Sequence, residues 1–223
     1  MEIRATFWRS STNCAGMPKL PIPPEPARLA QLGAETRGVQ AGTTLARIYF
    51  AGGPHPTVWN GFRQYGPLRG RFDPHVPPAQ LQQRGVMYVA SSLLTCLAEV
   101  FQAKRRIDVM TAQPLLATFA LTHDVSLLNL VGLWPTRAGA STAIHSGPRP
   151  RAQAWARAIY DAFPEIGGVL YCSSMNANQP AIALFERALS AMPPLPTSND
   201  ALSSPLLRAL LLRYATRLGY RLL

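Results

Sequence analysis

Residues 86–102 read VMYVASSLLTCLAEVFQ, and this stretch decides the fold class. Its first four residues are apolar, β-branched or aromatic and predict a short strand. Ser91 or Ser92 then suits the N-cap of a helix that continues to about Arg105. The helix has an apolar stripe at helical spacing, formed by Leu93, Leu94, Leu97, Val100 and Phe101. A strand that passes directly into an amphipathic helix indicates a mixed fold.

The rest of the chain continues this mixture without a repeating β-α-β rhythm. Further strands are predicted over 44–50, 114–119, 125–130, 169–172 and 181–185. Further helices are predicted over 151–163, with Trp155, Ile159 and Phe163 turned inward, and over 206–218. We therefore predict an α+β fold, with a mixed β core and flanking helices.

Two proline-rich stretches shape the predicted domain organisation. Five prolines between Pro18 and Pro26 interrupt the first forty residues. Residues 1–40 are therefore predicted to be a Pro-rich N-terminal extension, and residues 41–223 the folded domain, with a short helix possible over 27–32. The Gly- and Pro-rich stretch 52–78 is predicted to be a long irregular loop, a type of segment that often carries function.

Composition narrows the class of protein. The 223 residues are 48 % apolar, which is enough to bury the core of one domain. A net charge of +11 favours anionic partners, but only Lys19 and Lys104 are lysines and the arginines are scattered. This distribution argues against sequence-specific nucleic-acid binding.

Targeting and cofactor motifs are not found. No apolar run approaches the ~20 residues that a membrane helix needs. The N-terminus lacks the apolar segment of a secretory signal. We therefore expect no membrane partner, and a protein that acts in the cytoplasm or is delivered into the cytoplasm of a target cell. The cysteines and histidines show no metal-ligand spacing, and phosphate-binding glycine loops and the GxSxG motif are missing, so no metal is assigned.

Several polar side chains instead lie on elements that are otherwise apolar. Arg47 lies in the predicted strand 44–50. If it is buried, the free-energy cost is high unless its planar guanidinium binds an anion; if the strand lies at a sheet edge, Arg47 is exposed to solvent. Arg71 lies in the long loop, either as a phosphate contact or as a solvated charge. Tyr88 ends a strand and either stacks on a flat heterocycle or packs in the core.

The helix and the late strand supply two further candidates. By helical angle, Glu99 lies opposite the leucine stripe, together with Ser92, Thr95 and Gln102. That polar face either meets solvent or lines a cleft. Ser173 closes the strand 169–172, a common position both for ligand-binding hydroxyls and for ordinary turns.

Taken in chain order, these segments resemble the RES domain, a family named for its Arg, Glu and Ser. The similar segments are Arg47-Ile48-Tyr49, Gly70-Arg71-Phe72, Tyr88 to Ser91 followed by Glu99, Gly168 to Ser173, and Ala183-Leu184-Phe185. The resemblance assigns the three naming residues to Arg47, Glu99 and Ser173. It departs from the family where Phe72 replaces the usual Trp, and where Met175 stands near the place of an expected arginine.

The resemblance implies a fold related to ADP-ribosyltransferase toxins. It also implies a catalytic domain that cleaves NAD at the nicotinamide–ribose bond, as a glycohydrolase or phosphorylase. NAD would be a consumed substrate, so no cofactor is expected. Such proteins are usually bacterial toxins, and the expected protein partner is an antitoxin or immunity protein that covers the cleft.

The same resemblance implies a role for each candidate residue. Glu99 would stabilise the positive charge that develops on the ribose, as carboxylates do in glycoside hydrolysis, and Ser173 would help to hold it. Arg47 and Arg71 would hold the pyrophosphate. Tyr49 and Tyr88 would pack on the nicotinamide ribose or ring.

Two other functions remain open from the sequence. An ADP-ribosyltransferase that modifies a protein or nucleic acid would use the same cleft. A non-catalytic basic binding module would instead bind nucleic acid with a steep salt dependence and leave NAD intact.

Overall fold

The computed structural model describes residues 19–223. The helices are α1 (Pro26–Leu32), α2 (Leu93–Val100), α3 (Trp134–Arg137), α4 (Arg149–Ala162) and α5 (Pro205–Leu218). The strands are β1 (Thr36–Val39), β2 (Thr44–Phe50), β3 (Arg63–Gly66), β4 (Gln80–Val89), β5 (Arg106–Ile107), β6 (Pro114–Ala120), β7 (Val125–Asn129), β8 (Gly168–Cys172), β9 (Pro180–Phe185), β10 (Ser198–Ala201) and β11 (Arg221–Leu222). The predicted α+β class is confirmed.

Two sheets form the centre of the domain. The larger sheet has six strands in the order β1-β7-β8-β9-β4-β3, antiparallel except for the parallel pair β7 and β8. The smaller sheet has the order β10-β6-β2 and is antiparallel throughout. A bridge between Ala46 and Ala90 joins β2 to the residue that follows β4, so the two sheets meet where α2 begins.

The alternation of side chains along the strands divides the core into layers. On β4, Val86 belongs to the core under α1, α3 and α4, while its neighbour Met87 packs between the two sheets. The outer face of the small sheet contributes Ile48 to a third core, which α2 and α5 cover through Leu97 and Leu211. Helices therefore flank the paired sheets on both sides.

Most long elements lie where their sequence predicts them. Strand β2 and helix α4 match closely, and Trp155, Ile159 and Phe163 are all buried as expected. Helix α5 ends at Leu218 and is capped by Gly219, whose φ of 66° is the left-handed conformation that glycine adopts readily.

Helix α2 and the loop before β4 differ from the prediction. The helix ends at Val100 instead of near Arg105, because residues 102–105 form turns that lead into β5. Within the predicted irregular loop 52–78, the structure contains the edge strand β3. Strand β4 begins at Gln80, six residues before the predicted start, and the side chains of its first half are mostly exposed beside β3.

Residues 19–40, which the sequence assigns to the N-terminal extension, pack against the rest of the domain. Strand β1 pairs with β7 at the edge of the large sheet. The indole nitrogens of Trp134 and Trp155 donate to the carbonyls of Gly33 and Pro21 at 2.8 and 2.9 Å. The prolines thus permit an extended segment whose carbonyl groups bind core tryptophans. Residues 1–18 of the predicted extension lie outside the described residues.

No helix of residues 19–223 has the length and apolar character needed to cross a membrane.

Candidate active site

A cleft of about 340 Å³ opens between α2, the end of β2, strands β4 and β8, and the loop that carries Arg71. Four of the predicted site residues line it together: Arg47, Arg71, Tyr88 and Glu99. Ser173 is fully buried and bonds directly to Glu99, while Ser174 reaches the cleft itself. The tertiary structure thus gathers residues that are more than a hundred positions apart.

Glu99 is half-buried in the last turn of α2 and is held from two directions. The Ser173 hydroxyl donates to Glu99 Oε1 at 2.5 Å and accepts from the backbone N–H of Asn176 at 3.1 Å. The amide of Gln102 donates to the Glu99 carbonyl at 2.7 Å and lies 3.4 Å from Oε2. The carboxylate therefore has a fixed orientation while remaining at the cleft surface.

Thr95 departs from the polar face predicted for α2. It is fully buried, and its hydroxyl accepts a hydrogen bond from the Asn176 amide at 2.9 Å. This face of the helix is therefore covered by the turn after β8. Glu99, one turn later, lies where that cover ends.

Arg47 is 7 % exposed, and its Nη1 donates to the carbonyls of Trp59 and Gly61 at 2.8 Å each. Burial lowers its pKa to about 10, so the guanidinium is still charged at neutral pH. Its Nε and Nη2 have no hydrogen-bond partner among the described residues. The side chain thus stabilises the loop that follows β2 and keeps donors for a ligand.

The lining of the cleft is strongly cationic. Glu99 is its one carboxylate among residues 19–223, against five arginines: Arg47, Arg63, Arg69, Arg71 and Arg149. Within the same residues, only Arg63 of the five forms a salt bridge. Guanidinium groups in this arrangement favour a phosphate-bearing ligand.

Arg71 lies near charges of both signs. Burial lowers its pKa, the neighbouring Arg149 lowers it further, and Glu99 acts in the opposite direction. Its Nη1 donates to the Gly147 carbonyl at 2.6 Å, which ties the loop to the segment before α4. Arg71 therefore lies within electrostatic reach of both Arg149 and Glu99, which line the same cleft.

The sequence model of the RES domain matches residues 44–203. The chain belongs to the RES domain family. The match begins with β2 and includes Arg47, Glu99 and Ser173, and it leaves α5 outside.

Comparisons beyond the family model give the fold. No curated relative matches this RES-domain chain. A chain in the crystal structure of the M. tuberculosis MbcT–MbcA toxin–antitoxin complex has a similar fold, with a TM-score of 0.56 and 18 % identity. The similarity covers 83 % of this chain and 96 % of that one.

Asp73 is a carboxylate of this RES domain that the sequence reasoning missed. It is fully buried and accepts hydrogen bonds from Arg63 at 2.6 Å, the Leu68 N–H at 2.8 Å and the Tyr88 hydroxyl at 3.0 Å. A Cβ on Gly70 would lie 2.0 Å from Asp73 Oδ1, so only glycine fits there. Asp73 thus anchors the loop that contains Arg71. In the sequence, only its position directly after Gly70-Arg71-Phe72 could have indicated that it belongs to the site.

Two tyrosines line the cleft. Tyr88 donates to Asp73 and accepts from the Phe72 N–H at 2.9 Å, so its hydroxyl is already engaged. Tyr171, which the sequence reasoning did not select, packs against Phe72 with ring centroids 4.7 Å apart. Burial raises the pKa of both hydroxyls well above the ordinary value for tyrosine. They therefore offer neutral aromatic surface to a ligand.

Tyr49 does not line the cleft and, unlike Ser173, makes no side-chain hydrogen bond among the described residues to a residue that does. It is buried, and its hydroxyl donates to Asn199 Oδ1 of β10 at 2.9 Å. The Arg47 guanidinium lies 6.0 Å from its ring. Tyr49 was selected through the resemblance of Arg47-Ile48-Tyr49 to the family, but its contacts are with Arg47 and β10.

Gln102 and Arg149 also line the cleft, although the sequence did not predict them as site residues. Arg149 begins α4 and donates to Gln102 Oε1 at 3.0 Å, which fixes the amide that contacts Glu99. The helical spacing placed Gln102 on the same face as Glu99, whereas no sequence pattern around Arg149 indicated a functional role. Within residues 19–223, no group of three or more His, Cys, Asp or Glu is arranged to hold a metal ion.

Proposed function

We propose that this RES domain is a toxin enzyme that cleaves NAD at the bond between nicotinamide and ribose. The observation that carries the proposal is the oriented Glu99 carboxylate, bonded by Ser173 at the surface of a cleft lined by five arginines. The cleft thus combines anion-binding groups with one carboxylate beside them, which suits a substrate with a pyrophosphate and a ribose that becomes cationic.

The residues divide the chemistry between binding and charge stabilisation. Arg47 and Arg71 hold the pyrophosphate, and Tyr88 offers its ring to the nicotinamide end. As the C1′–N bond breaks, its electron pair passes to the pyridinium ring and nicotinamide leaves as a neutral molecule. Positive charge then develops on the ribose, where the nearby Glu99 carboxylate stabilises it.

The acceptor completes the reaction at C1′. With water as acceptor, the product is ADP-ribose, and in this proposal Glu99 takes the proton that the water loses. With inorganic phosphate, the product is ADP-ribose carrying a phosphate at C1′. The arginines around Glu99 are compatible with either acceptor.

A toxin role suits a partner that covers the cleft. The similar M. tuberculosis chain was solved in a toxin–antitoxin complex. An open cleft that consumes NAD in the cytoplasm would harm the cell that makes it. We therefore propose an antitoxin or immunity protein that blocks access to Glu99 and to the arginines.

The decisive experiment incubates the purified protein with NAD labelled in the adenosine half, with and without phosphate. Free ADP-ribose identifies a glycohydrolase, and a phosphorylated product that requires phosphate identifies a phosphorylase. Label on a macromolecule identifies an ADP-ribosyltransferase instead. Intact NAD in both incubations would overturn the proposal, and steeply salt-dependent nucleic-acid binding would then identify a basic binding module.

The cellular test follows total NAD after induced expression. NAD should fall before growth stops, and the Glu99→Gln variant should leave both unchanged. Co-expression with neighbouring reading frames then identifies a product that restores NAD. Growth arrest at a constant NAD level would contradict the proposed mechanism.

A further inference from the structure

Two neighbouring grooves lie where β11 meets the segment that follows α2. The first has a volume of about 320 Å³ and adjoins the cleft, because Phe50 and Val100 line both. The second has a volume of about 160 Å³ and lies between α5 and β11. Leu223 lines both grooves, and neither is lined by a residue to which the proposed function gives a role. We refer to the two grooves and the side chains between them as the Leu223 surface.

The side chains between the grooves are apolar and exposed. Leu223 is 52 % exposed, and Leu212, which lines the second groove from α5, is 58 % exposed. Met110 is 69 % exposed and lies between Val109, which lines the second groove, and Thr111, which lines the first. Exposed apolar residues that are scattered singly need no explanation, whereas a cluster around two grooves indicates an interaction surface.

The backbone beneath the Leu223 surface is held in place by the rest of the domain. The Leu223 N–H donates to the Ile107 carbonyl at 3.0 Å, which joins β11 to β5. The Tyr220 hydroxyl donates to the Ala98 carbonyl of α2 at 3.2 Å. Leu211, on the floor of the second groove, is buried. A partner therefore meets a preformed surface, and its binding requires little ordering of the backbone.

The charged groups around the two grooves are mainly cationic. Lys104 and Arg106 line the first groove and Arg208 lines the second; all three are exposed and form no salt bridge among residues 19–223. Asp108 is the one carboxylate side chain of the lining within the same residues, and it accepts from two N–H groups of its own turn. Residues 202–223 contain four arginines and no Asp or Glu. Electrostatic complementarity therefore favours an acidic partner.

The combination of apolar grooves and unpaired cations distinguishes between possible occupants. A second copy of the chain in a twofold dimer would bring the same cations towards one another. A bilayer has no protruding side chains to enter two concave grooves, and a nucleic acid would use the cations but not the leucines. An amphipathic segment with apolar side chains on one face and carboxylates beside them complements both features.

We propose that the Leu223 surface binds an acidic amphipathic helix of a protein partner. Apolar side chains of that helix enter the two grooves, and its carboxylates pair with Lys104, Arg106 and Arg208. The inference does not rest on the proposed function, because it uses no residue of the reaction and no property of NAD.

The first test adds a labelled synthetic helix of Glu, Ala and Leu, with its leucines at helical spacing, to the purified full chain. Fluorescence anisotropy should detect binding to the parent. Leu212→Glu places a carboxylate in the second groove and should weaken binding about tenfold, as expected when an interface contact of this kind is lost. Equal affinity of the parent and Leu212→Glu, or no binding to the parent, would overturn the proposal.

Leu189→Glu is the matched control for this variant. Leu189 is 57 % exposed and lines neither groove, so the substitution makes the same change of charge at an equally exposed leucine. It should bind the peptide like the parent. Similar melting temperatures of the two variants show that both fold. A loss of binding that is equal in Leu189→Glu and Leu212→Glu would reflect net charge alone and contradict the assignment of the groove.

A second variant tests the cations without changing an apolar side chain. The parent should bind the acidic peptide more tightly than a peptide with Gln in place of Glu. Lys104→Gln combined with Arg208→Gln should weaken binding of the acidic peptide about fivefold and leave the neutral peptide unaffected. Arg28→Gln combined with Arg37→Gln removes two exposed arginines outside both grooves and should have no effect. An unchanged preference in the first double variant would overturn the charge assignment.

Other occupants would give different results. Sedimentation that shows a parent dimer and a Leu212→Glu monomer would identify a second copy and overturn the proposal. Binding to phosphatidylglycerol vesicles without binding to the peptide would identify a membrane surface instead. NAD cleavage should be equal in the parent, Leu212→Glu and Leu189→Glu. Failure of the cleavage proposal therefore leaves this inference standing, and loss of peptide binding leaves the cleavage proposal standing.

Discussion

The two carboxylates beside the cleft, Asp73 and Glu99, have opposite surroundings. Asp73 is fully buried and accepts from a guanidinium, a backbone N–H and a tyrosine hydroxyl. Glu99 is half-buried, with a bond from Ser173 and a long contact to Gln102, and of the five arginines that line its cleft only Arg63 forms a salt bridge among the described residues. The charge of Asp73 is compensated by groups of the protein, whereas Glu99 can still interact with a ligand in the cleft.

The difference shows how the same chemical group can serve stability or function. A buried charge must be paired, and removal of one partner leaves the other uncompensated. A fixed carboxylate at the surface of a cleft interacts most strongly with charge that appears during a reaction. Each of the following predictions tests one side of this comparison.

Asp73→Ala should produce the largest effect, a loss of about 3–5 kcal/mol in the free energy of unfolding. The substitution leaves Arg63 and the Tyr88 hydroxyl without their common partner in a buried region. Chemical denaturation measures the loss. Asp161→Ala is the matched control, because it removes a carboxylate that is 41 % exposed from its pair with Arg84, and it should cost no more than about 1 kcal/mol. Equal losses for the two variants would show that Asp73 is not an anchor.

Glu99→Gln should lower NAD turnover about 10²–10³-fold while the stability changes by no more than about 0.5 kcal/mol. The glutamine side chain has the same shape as glutamate and can still accept the hydrogen bond from the Ser173 hydroxyl, but it has no negative charge to stabilise the cationic ribose. Turnover, NAD affinity and the melting temperature are measured together, and affinity should survive. A variant that melts like the parent and cleaves NAD within about tenfold of it would remove Glu99 as the catalytic carboxylate.

Arg71→Ala should weaken NAD binding by about 1.5–3 kcal/mol, the usual range for a hydrogen bond to a charged group. Stability should change less than in Asp73→Ala, because Arg71 bonds to a single carbonyl and is partly exposed. Arg47→Ala should lower both affinity and stability, since it also releases the carbonyls of Trp59 and Gly61. Calorimetry on the Glu99→Gln background measures affinity without turnover. An unchanged affinity in Arg71→Ala would exclude it from the binding site.

The smallest effect is a pH dependence of stability from two buried histidines. Burial lowers the pKa of His75 and of His145, and nearby arginines, Arg63 and Arg71, lower them further. The unfolded chain takes up these protons as the pH falls below about 6.5, while the folded protein does not, so stability decreases with decreasing pH. Each group contributes at most about 1.4 kcal/mol per pH unit.

His75 provides the sharper measurement, because both ring nitrogens lack a hydrogen-bond partner among the described residues. His75→Leu should reduce the slope of unfolding free energy against pH between about 6.5 and 5. His55→Leu, at an exposed position, is the control and should keep the slope of the parent. A slope that is the same in all three proteins would contradict the prediction.

Elements with a complete local signal were predictable from the sequence. Strand β2 is a seven-residue run with five apolar or aromatic residues, and α4 has a proline in its first turn and Trp155 and Ile159 one turn apart on its buried face. The strands β1 and β10 were missed because each has four mostly polar or exposed residues at a sheet edge. Their pairing depends on the neighbouring strand, which local periodicity does not report.

For the site, the order of residues along the chain was enough to select Arg47, Arg71, Tyr88 and Glu99, and the structure places them in one cleft. Tyr49 was selected on the same basis, but its hydroxyl bonds to Asn199 of β10, a contact between segments 150 positions apart that chain order does not reveal. Asp73 and Arg149 were missed because burial and spatial proximity, which single them out, are not visible in one sequence.

The sequence by itself determined the α+β class, the main helices and strands, and the family through its ordered Arg, Glu and Ser. These properties depend on local periodicity and on chain order. Only the tertiary structure decided that Asp73 is satisfied while Glu99 is open, that five arginines converge around one carboxylate, and that a second groove adjoins the cleft. The physical reason is that charge satisfaction and cavity shape depend on which distant segments meet, since electrostatic and hydrogen-bond energies act over a few ångströms in space whatever the separation along the chain.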